Sequence, residues 1–318
     1  MLKKLTYTAF TIALAASIAS CNKDNNNNSA TNPQLKNLFE GLKSTPQIFN
    51  IQAGNYETIE GALGTIIEFN PNSFLNLAGD TIRTGTIKIE LIETPRYQQM
   101  IANRVFTTTA NKERLISGGA VHIKATINNE EVKATQYALH YKQPTDNPSP
   151  MALYNGFESE ALGGNIVQWN DDTTGKTLGA RRDFGGAGHG FFYSFDSVTN
   201  FGWINCDYFY SDPRPKTDIN VKIADNSFND ENTEVVIVFP SINSTSYLTN
   251  FSTNTFFQGY TTYFIPIGEQ IHVMTIGEKN GKYYSFVQKN ITVTNDITIT
   301  ATPQEVSAAQ VKSQIDNL

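Results

Sequence analysis

Residues 86–91 read Thr86-Ile87-Lys88-Ile89-Glu90-Leu91, with apolar and polar side chains in strict alternation. Successive side chains of a strand point to opposite faces, so Ile87, Ile89 and Leu91 share one face and Lys88 and Glu90 the other. The same period recurs downstream, where Val121, Ile123, Ala125 and Ile127 alternate with His122, Lys124 and Thr126, and a third run spans Thr65 to Phe69. Such runs predict antiparallel sheets with one face on a core and the other in water. Turn signals separate them: Ala53-Gly54-Asn55, Asn70-Pro71-Asn72, Gly79-Asp80, Gly118-Gly119 and Asn128-Asn129.

The second half repeats the pattern. Ile219 to Ile223, Ile271 to Ile276, Tyr283 to Val287, Ile291 to Val293 and Ile297 to Ile299 read as strands, with Asn280-Gly281 as a hairpin turn. Glu234 to Phe239 is apolar on both faces and predicts a central strand. Between the halves, residues 143–150 hold Pro144, Pro148 and Pro150, which disfavour sheet pairing and suggest an extended linker. The expected fold is mainly β: two tandem antiparallel β-sandwich-like domains, over 47–143 and 151–302, joined by a linker at 144–150.

Helical signals are confined to the ends. Asn32 caps and Pro33 opens a short helix whose Leu35, Leu38, Phe39 and Leu42 share one face. At the other end, Thr302-Pro303-Gln304-Glu305 reads as a capping box. A helix over 303–318 would follow, with Ala308, Val311, Ile315 and Leu318 on one side.

The N-terminus carries an address. Lys3 and Lys4 precede an apolar run from Leu5 through Ile18, and Ile18-Ala19-Ser20-Cys21 closes it with small residues before a cysteine. This pattern closely resembles the lipobox of bacterial lipoproteins, which implies removal of residues 1–20 and acylation of Cys21. Asn22 to Asn32 then offers nothing to anchor a core and reads as a tether, so 21–46 comprises the lipidated cysteine, an Asn-rich tether and the short helix. Lys23-Asp24 resembles the charged export signals of surface-exposed Bacteroidota lipoproteins, with less acid than those carry.

Without Lys3 and Lys4 the chain holds 22 basic against 30 acidic residues, a net charge of −8. Such a surface repels nucleic acid, and no basic patch interleaved with aromatics argues otherwise. Cys206 is the one cysteine besides Cys21, so no intrachain disulfide is expected after lipidation. No later apolar stretch approaches the ~20 residues of a membrane-spanning helix.

A second resemblance rests on Ile51-Gln-Ala-Gly-Asn-Tyr-Glu-Thr-Ile59, Gly64-Thr-Ile-Ile-Glu-Phe-Asn-Pro-Asn-Ser-Phe74, Gly85 to Glu93, Leu115-Ile-Ser-Gly-Gly119 and Gly202-Trp-Ile-Asn-Cys-Asp207. These strings resemble an uncharacterised family of Bacteroidota surface lipoproteins, chiefly over 48–135. Over about 60–93 the chain is more distantly similar to the β-sandwich module of zonula occludens proteins, ankyrins and netrin receptors. Neither resemblance carries catalytic residues; both imply interaction or display.

Catalytic and ligand motifs are thin. Gly185 to Gly190 has the spacing G-x-G-x-G and no helix start after it, and Thr174-Gly175-Lys176-Thr177 lacks the upstream glycine of a phosphate loop. The four histidines, His122, His140, His189 and His272, show no zinc spacing. Cys206 with His189 would make a nucleophile pair, but an inert buried thiol is the simpler reading. Asp171, Asp172, Asp183, Asp207 and Asp212 would suit a glycosidase if two faced each other. Asp171-Asp172 and Asp225 to Glu231 offer oxygen ligands for calcium without matching a 12-residue calcium loop. For all of these acids, solvated loops are the simpler reading. Trp169 and Trp203, in an aromatic-rich stretch, would stack on sugar rings if exposed and fill a core if not.

The expectation is therefore an outer-membrane, cell-surface lipoprotein anchored through Cys21, with a binding, adhesion or structural role, no cofactor, metal or catalysis, and an envelope protein or glycan as partner. The alternative is a carbohydrate-processing enzyme or glycan-binding accessory, with Trp169 and Trp203 as the binding residues.

Overall fold

The computed structural model describes residues 31–109, 113–142, 150–178, 180–183, 189–257 and 265–318, with only the backbone given for 171–178, 180–183 and 189–191. Cys21, residues 143–149 and most of the glycine cluster lie outside the described residues. The fold is mainly β and sandwich-like. The larger sheet of the first lobe runs in the order Gln47–Gln52, Thr86–Thr94, Leu115–Ile127, Gly202–Phe209, Pro150–Ser159, Ile166–Leu178 and Val105–Thr109. The facing sheet runs Ala180–Asp183, His189–Val198, Tyr137–Lys142, Ile66–Phe69 and Glu57–Glu60. Ile87, Ile89, Leu91, Val121, Ile123 and Ala125 all point between the two sheets, as the alternation predicts. They meet Phe69, Tyr137, Leu139, Ile204 and Cys206 in one core.

The expected boundary at 144–150 does not divide the sheets. Leu115–Ile127 pairs with Gly202–Phe209, which pairs with Pro150–Ser159, so one sheet takes strands from both sides of the proline stretch. Pro150 is the first residue of its strand, where a missing N–H interrupts no ladder. The sheets change hands later, between Phe209 and Lys216. The loop expected around Asp171 and Asp172 is instead strand, since Ile166–Leu178 runs through both residues and pairs with Pro150–Ser159.

The second lobe packs two further sheets. One runs Ser244–Leu248, Thr233–Phe239, Gln270–Lys279, Lys282–Thr292 and Gln304–Val306, and the other Asn250–Ser252, Thr255–Phe257, Ile219–Ile223 and Ile297–Ala301. Thr233–Phe239 is central, as its composition predicts. Val235, Ile237 and Phe239 fill the lobe's own core, while Val236 and Val238 fill a separate cluster. The runs Tyr283 to Val287 and Ile291 to Val293 belong largely to one long strand, Lys282–Thr292.

That separate cluster joins the lobes. It gathers Leu35, Leu38, Phe39 and Leu42 of helix α1 (Pro33–Leu42), Ile101 of α2 (Tyr97–Ala102), Phe106, Leu162 and Ile166 of the first lobe, and Val236, Val238, Met274 and Ile276 of the second. Val311 and Ile315 of α3 (Ala308–Asp316) close it. Helix α1 is capped as expected, since the Asn32 side chain accepts from the N–H groups of Gln34 and Leu35. Helix α3 starts later than 303. Gln304–Val306 adds an edge strand, and the capping box in use is Ser307 with Gln310.

At the centre of the joint is a buried ion pair. Arg104 Nη1 and Nη2 donate to Glu234 Oε2 and Oε1 at 2.7 and 2.8 Å, and Gly163 N also donates to Glu234 at 2.8 Å. Burial works against the Arg104 charge, but the Glu234 carboxylate more than restores it. The guanidinium stacks on Phe39, 4.1 Å from the ring centroid. Gly163 is required by close approach: a Cβ there would lie 2.5 Å from the Phe39 ring and 2.8 Å from Arg104. Beside the pair, Thr107 Oγ1 donates to Thr245 O and accepts from Thr245 N, stitching an edge strand of each lobe together.

Candidate binding face

The outer face of the larger sheet is half covered by α2 and the second lobe. Its open half carries a cross-strand row. Ile92 lies opposite His122, and His122 opposite Trp203, while Gly156 lies opposite Trp169 in the next pair of strands. A Cβ on Gly156 would meet Trp203 Cβ at 2.6 Å and Trp169 Cζ3 at 2.7 Å, so the Trp169 indole and the root of the Trp203 side chain close over the bare backbone.

The two tryptophans have different fates. Trp169 is buried, and its Nε1–H donates to Phe106 O at 2.8 Å; it is a core residue, unavailable to a ligand. Trp203 is half-buried against the cluster of Met100, Val105, Tyr154 and Trp169. Its ring sits 5.0 Å from the His122 ring, centroid to centroid, at 55°. Along Gly202–Phe209, Trp203 alternates with Ile204 and Cys206, which both lie in the core. Phe201 departs from it. Gly202 takes φ +102°, a backbone few L side chains adopt, and turns Phe201 into the core beside Tyr137, Phe69 and Phe74.

Burial lowers the pKa of His122, Lys124 adds to this, and Glu158 and Glu90 oppose it. A neutral imidazole both donates and accepts. The open half thus offers an indole, a neutral imidazole and the exposed carboxylate of Glu158, which accepts from Asn165 Nδ2 at 2.9 Å, while the Lys124 ammonium is paired with Glu131 at 3.0 Å. That set can stack a ring and hydrogen-bond its substituents, but it contains no nucleophile.

A second polar chain crosses the smaller sheet, and no spacing in the sequence marks it. His140 Nδ1 lies 2.9 Å from Ser194 Oγ, His140 Nε2 lies 3.1 Å from Glu68 Oε2, and Tyr56 Oη donates to Glu68 Oε1 at 2.5 Å. The order hydroxyl, imidazole, carboxylate is that of a base-activated nucleophile. Ser194 is only 7 % exposed and His140 is buried, so the hydroxyl is not presented to a substrate.

The other candidates do not converge. Cys206 faces the core, and burial followed by the neighbouring Asp207 pushes its thiol well up. The side chains of His189, Asp171, Asp172 and Asp183 lie outside the described residues. Asp207 is buried, and burial raises its carboxyl well above the usual range against hydrogen bonds from Ser117, Asn205 and Gly118. Asp212 binds Arg214, whose guanidinium also holds Glu269, so the hydrogen bonds of Arg214 keep Asp212 well below the usual carboxylate range. Asp225 accepts from Ser227 and Lys279, an internally satisfied turn. Among the described residues no group of three or more His, Cys, Asp or Glu could hold a metal ion, and no helix is long and apolar enough to cross a membrane.

No family model matches this chain, and no curated protein matches its sequence.

Proposed function

We propose that this is a lipid-anchored envelope protein whose two fused β lobes form one rigid binding or display body, with no catalytic role. The observation that carries the reading is the shared core at the joint. Helix α1, where the N-terminal segment enters, is built into that core together with both lobes. A lipid on Cys21 would therefore hold the whole body as one unit. The lipobox resemblance of residues 18–21 and the resemblance of 48–135 to Bacteroidota surface lipoproteins support the anchor and the cell-surface location. Changing Cys21→Ser should release the protein to soluble fractions, because buried methylenes worth ~0.8 kcal/mol each make the membrane contact. A variant that still sediments with membranes in high salt would overturn the anchor. Pull-down from detergent-solubilised envelope would then identify the partner of the anchored form.

A second reading, glycan binding, is favoured by the half-buried Trp203, whose ring packs on His122. Trp203→Ala should abolish glycan-array binding and cost roughly 1.5–3 kcal/mol, below the full cost of a buried aromatic. Array binding unchanged in the variant would exclude this face.

A further inference from the structure

The N-terminal segment enters the body at one end only. Thr31 Oγ1 donates to Glu160 Oε1 at 2.7 Å and Asn32 N to Leu162 O at 2.6 Å, both in the turn after Pro150–Ser159. The Asn32 side-chain amide reaches the second lobe, donating to Glu278 Oε2 at 3.3 Å and Glu231 O at 3.5 Å. The chain is thus pinned where turns of both lobes meet.

Strands of both lobes run away from this entry end. Gly202–Phe209 is antiparallel to Pro150–Ser159, so Gly202 lies on the entry side and Phe209 at the far side. Thr233–Phe239 starts beside Glu231 and ends at the same far side, where Arg114 lies over the rings of both Phe239, at 3.9 Å, and Tyr210, at 5.7 Å. The strand Pro150–Ser159, which runs from the far side to the entry turn, has 10 residues, which at ~3.3 Å each separates the two ends by roughly 30–35 Å.

Thr31 is ten residues after Cys21 in the sequence. A chain spans at most ~3.3–3.6 Å per residue, so the entry end can stand no more than about 35 Å from a lipid on Cys21. An inverted body, with its far end on the bilayer, would need that stretch extended nearly to its limit, which conformational entropy opposes, whereas the upright body needs almost none of it. Glu160, Glu231 and Glu278 around the entry would be repelled by anionic headgroups, so reach and not charge carries the orientation.

We propose that the entry end faces the lipid headgroups, and that the far end is the surface presented outward. That far end carries Phe209, 43 % exposed, and the loop bearing Asp212 and Arg214, which Glu269 ties to the second lobe. This rests on the anchoring of Cys21 proposed above.

The test is energy transfer. Donor dyes go on Asp230→Cys at the entry end or Ser211→Cys at the far end, Cys206 being buried and unlabelled. The lipidated full chain is inserted into phosphatidylcholine vesicles carrying an acceptor on the headgroup. Transfer from residue 230 should exceed that from residue 211 by roughly twofold or more, given ends ~30–35 Å apart. Equal or reversed transfer from protein that co-floats with the vesicles overturns the orientation. If the cell-made protein carries no lipid, the anchoring reading fails. The chain beginning at Cys21 is then condensed through that N-terminal cysteine with an aldehyde-headed lipid, and the same comparison decides the orientation by itself.

Discussion

At the scale of single residues, His122 is where sequence and structure diverge most usefully. In the sequence it is one polar position in an alternating strand. In the structure it is pressed against Trp203 and lowered in pKa, first by burial. A folded-state pKa below the unfolded ~6.5 means that the unfolded chain binds more protons between the two values. The stability His122 contributes is therefore present above about pH 6.5 and lost as the pH falls from there toward the folded value. Chemical-shift titration should place its midpoint below ~6.5, and His122→Gln should flatten the decline in urea stability as the pH falls below about 6.5. A midpoint at or above the free value would show the ring to be more open than the packing implies. Trp169 and Trp203 teach the complementary lesson. Their identity announces a large aromatic surface, but only the register around Gly156 decides that one is covered and the other half open.

Elements were legible where the pattern is local. Ile87, Ile89 and Leu91 face inward as their alternation requires, and Asn32 with Pro33 starts α1. Misreadings arose where two local signals compete. Thr302 to Glu305 has the letters of a capping box, yet Gln304–Val306 gains a ladder on Tyr283–Ser285 and leaves the capping to Ser307. Asn170 to Gly175 has turn composition, yet the long ladder with Pro150–Ser159 holds it extended. The reversal of Phe201 at Gly202 is a third case, since a glycine before a strand does not announce its φ. Gly202→Ala should cost roughly 1–3 kcal/mol, the usual strain of a disfavoured backbone. It should also loosen the packing of Phe201 on Tyr137, seen as a changed near-ultraviolet circular dichroism signal. A variant with unchanged stability and spectrum would mean that the turn does not set the position of Phe201.

At the scale of the whole molecule, what escaped the sequence is non-local. Nothing in residues 115–127 says that they will pair with 202–209, nor that Arg104 will meet Glu234 across 130 positions. The proline stretch therefore looked like a boundary although the sheet passes over it. The polar chain of Ser194, His140 and Glu68 was hidden for the same reason, its members being brought together only by strand register. The two apolar faces of Glu234 to Phe239 were the one visible trace of the joint: a strand of a two-layer sandwich needs one apolar face, and this one serves two cores. The joint makes a physical demand on unfolding. Two lobes that share a core, α1, α3 and a buried ion pair should unfold together, so calorimetry should show one transition whose van't Hoff and calorimetric enthalpies agree. Glu234→Gln removes the counter-charge and leaves the Arg104 guanidinium buried, which should cost about 3–5 kcal/mol and separate the lobes into two transitions. Arg104→Met with Glu234→Leu removes both charges and should regain most of that loss. Two transitions in the unaltered protein, or a Glu234→Gln variant as stable as its parent, would show that the lobes are joined by their surfaces and not through a common core.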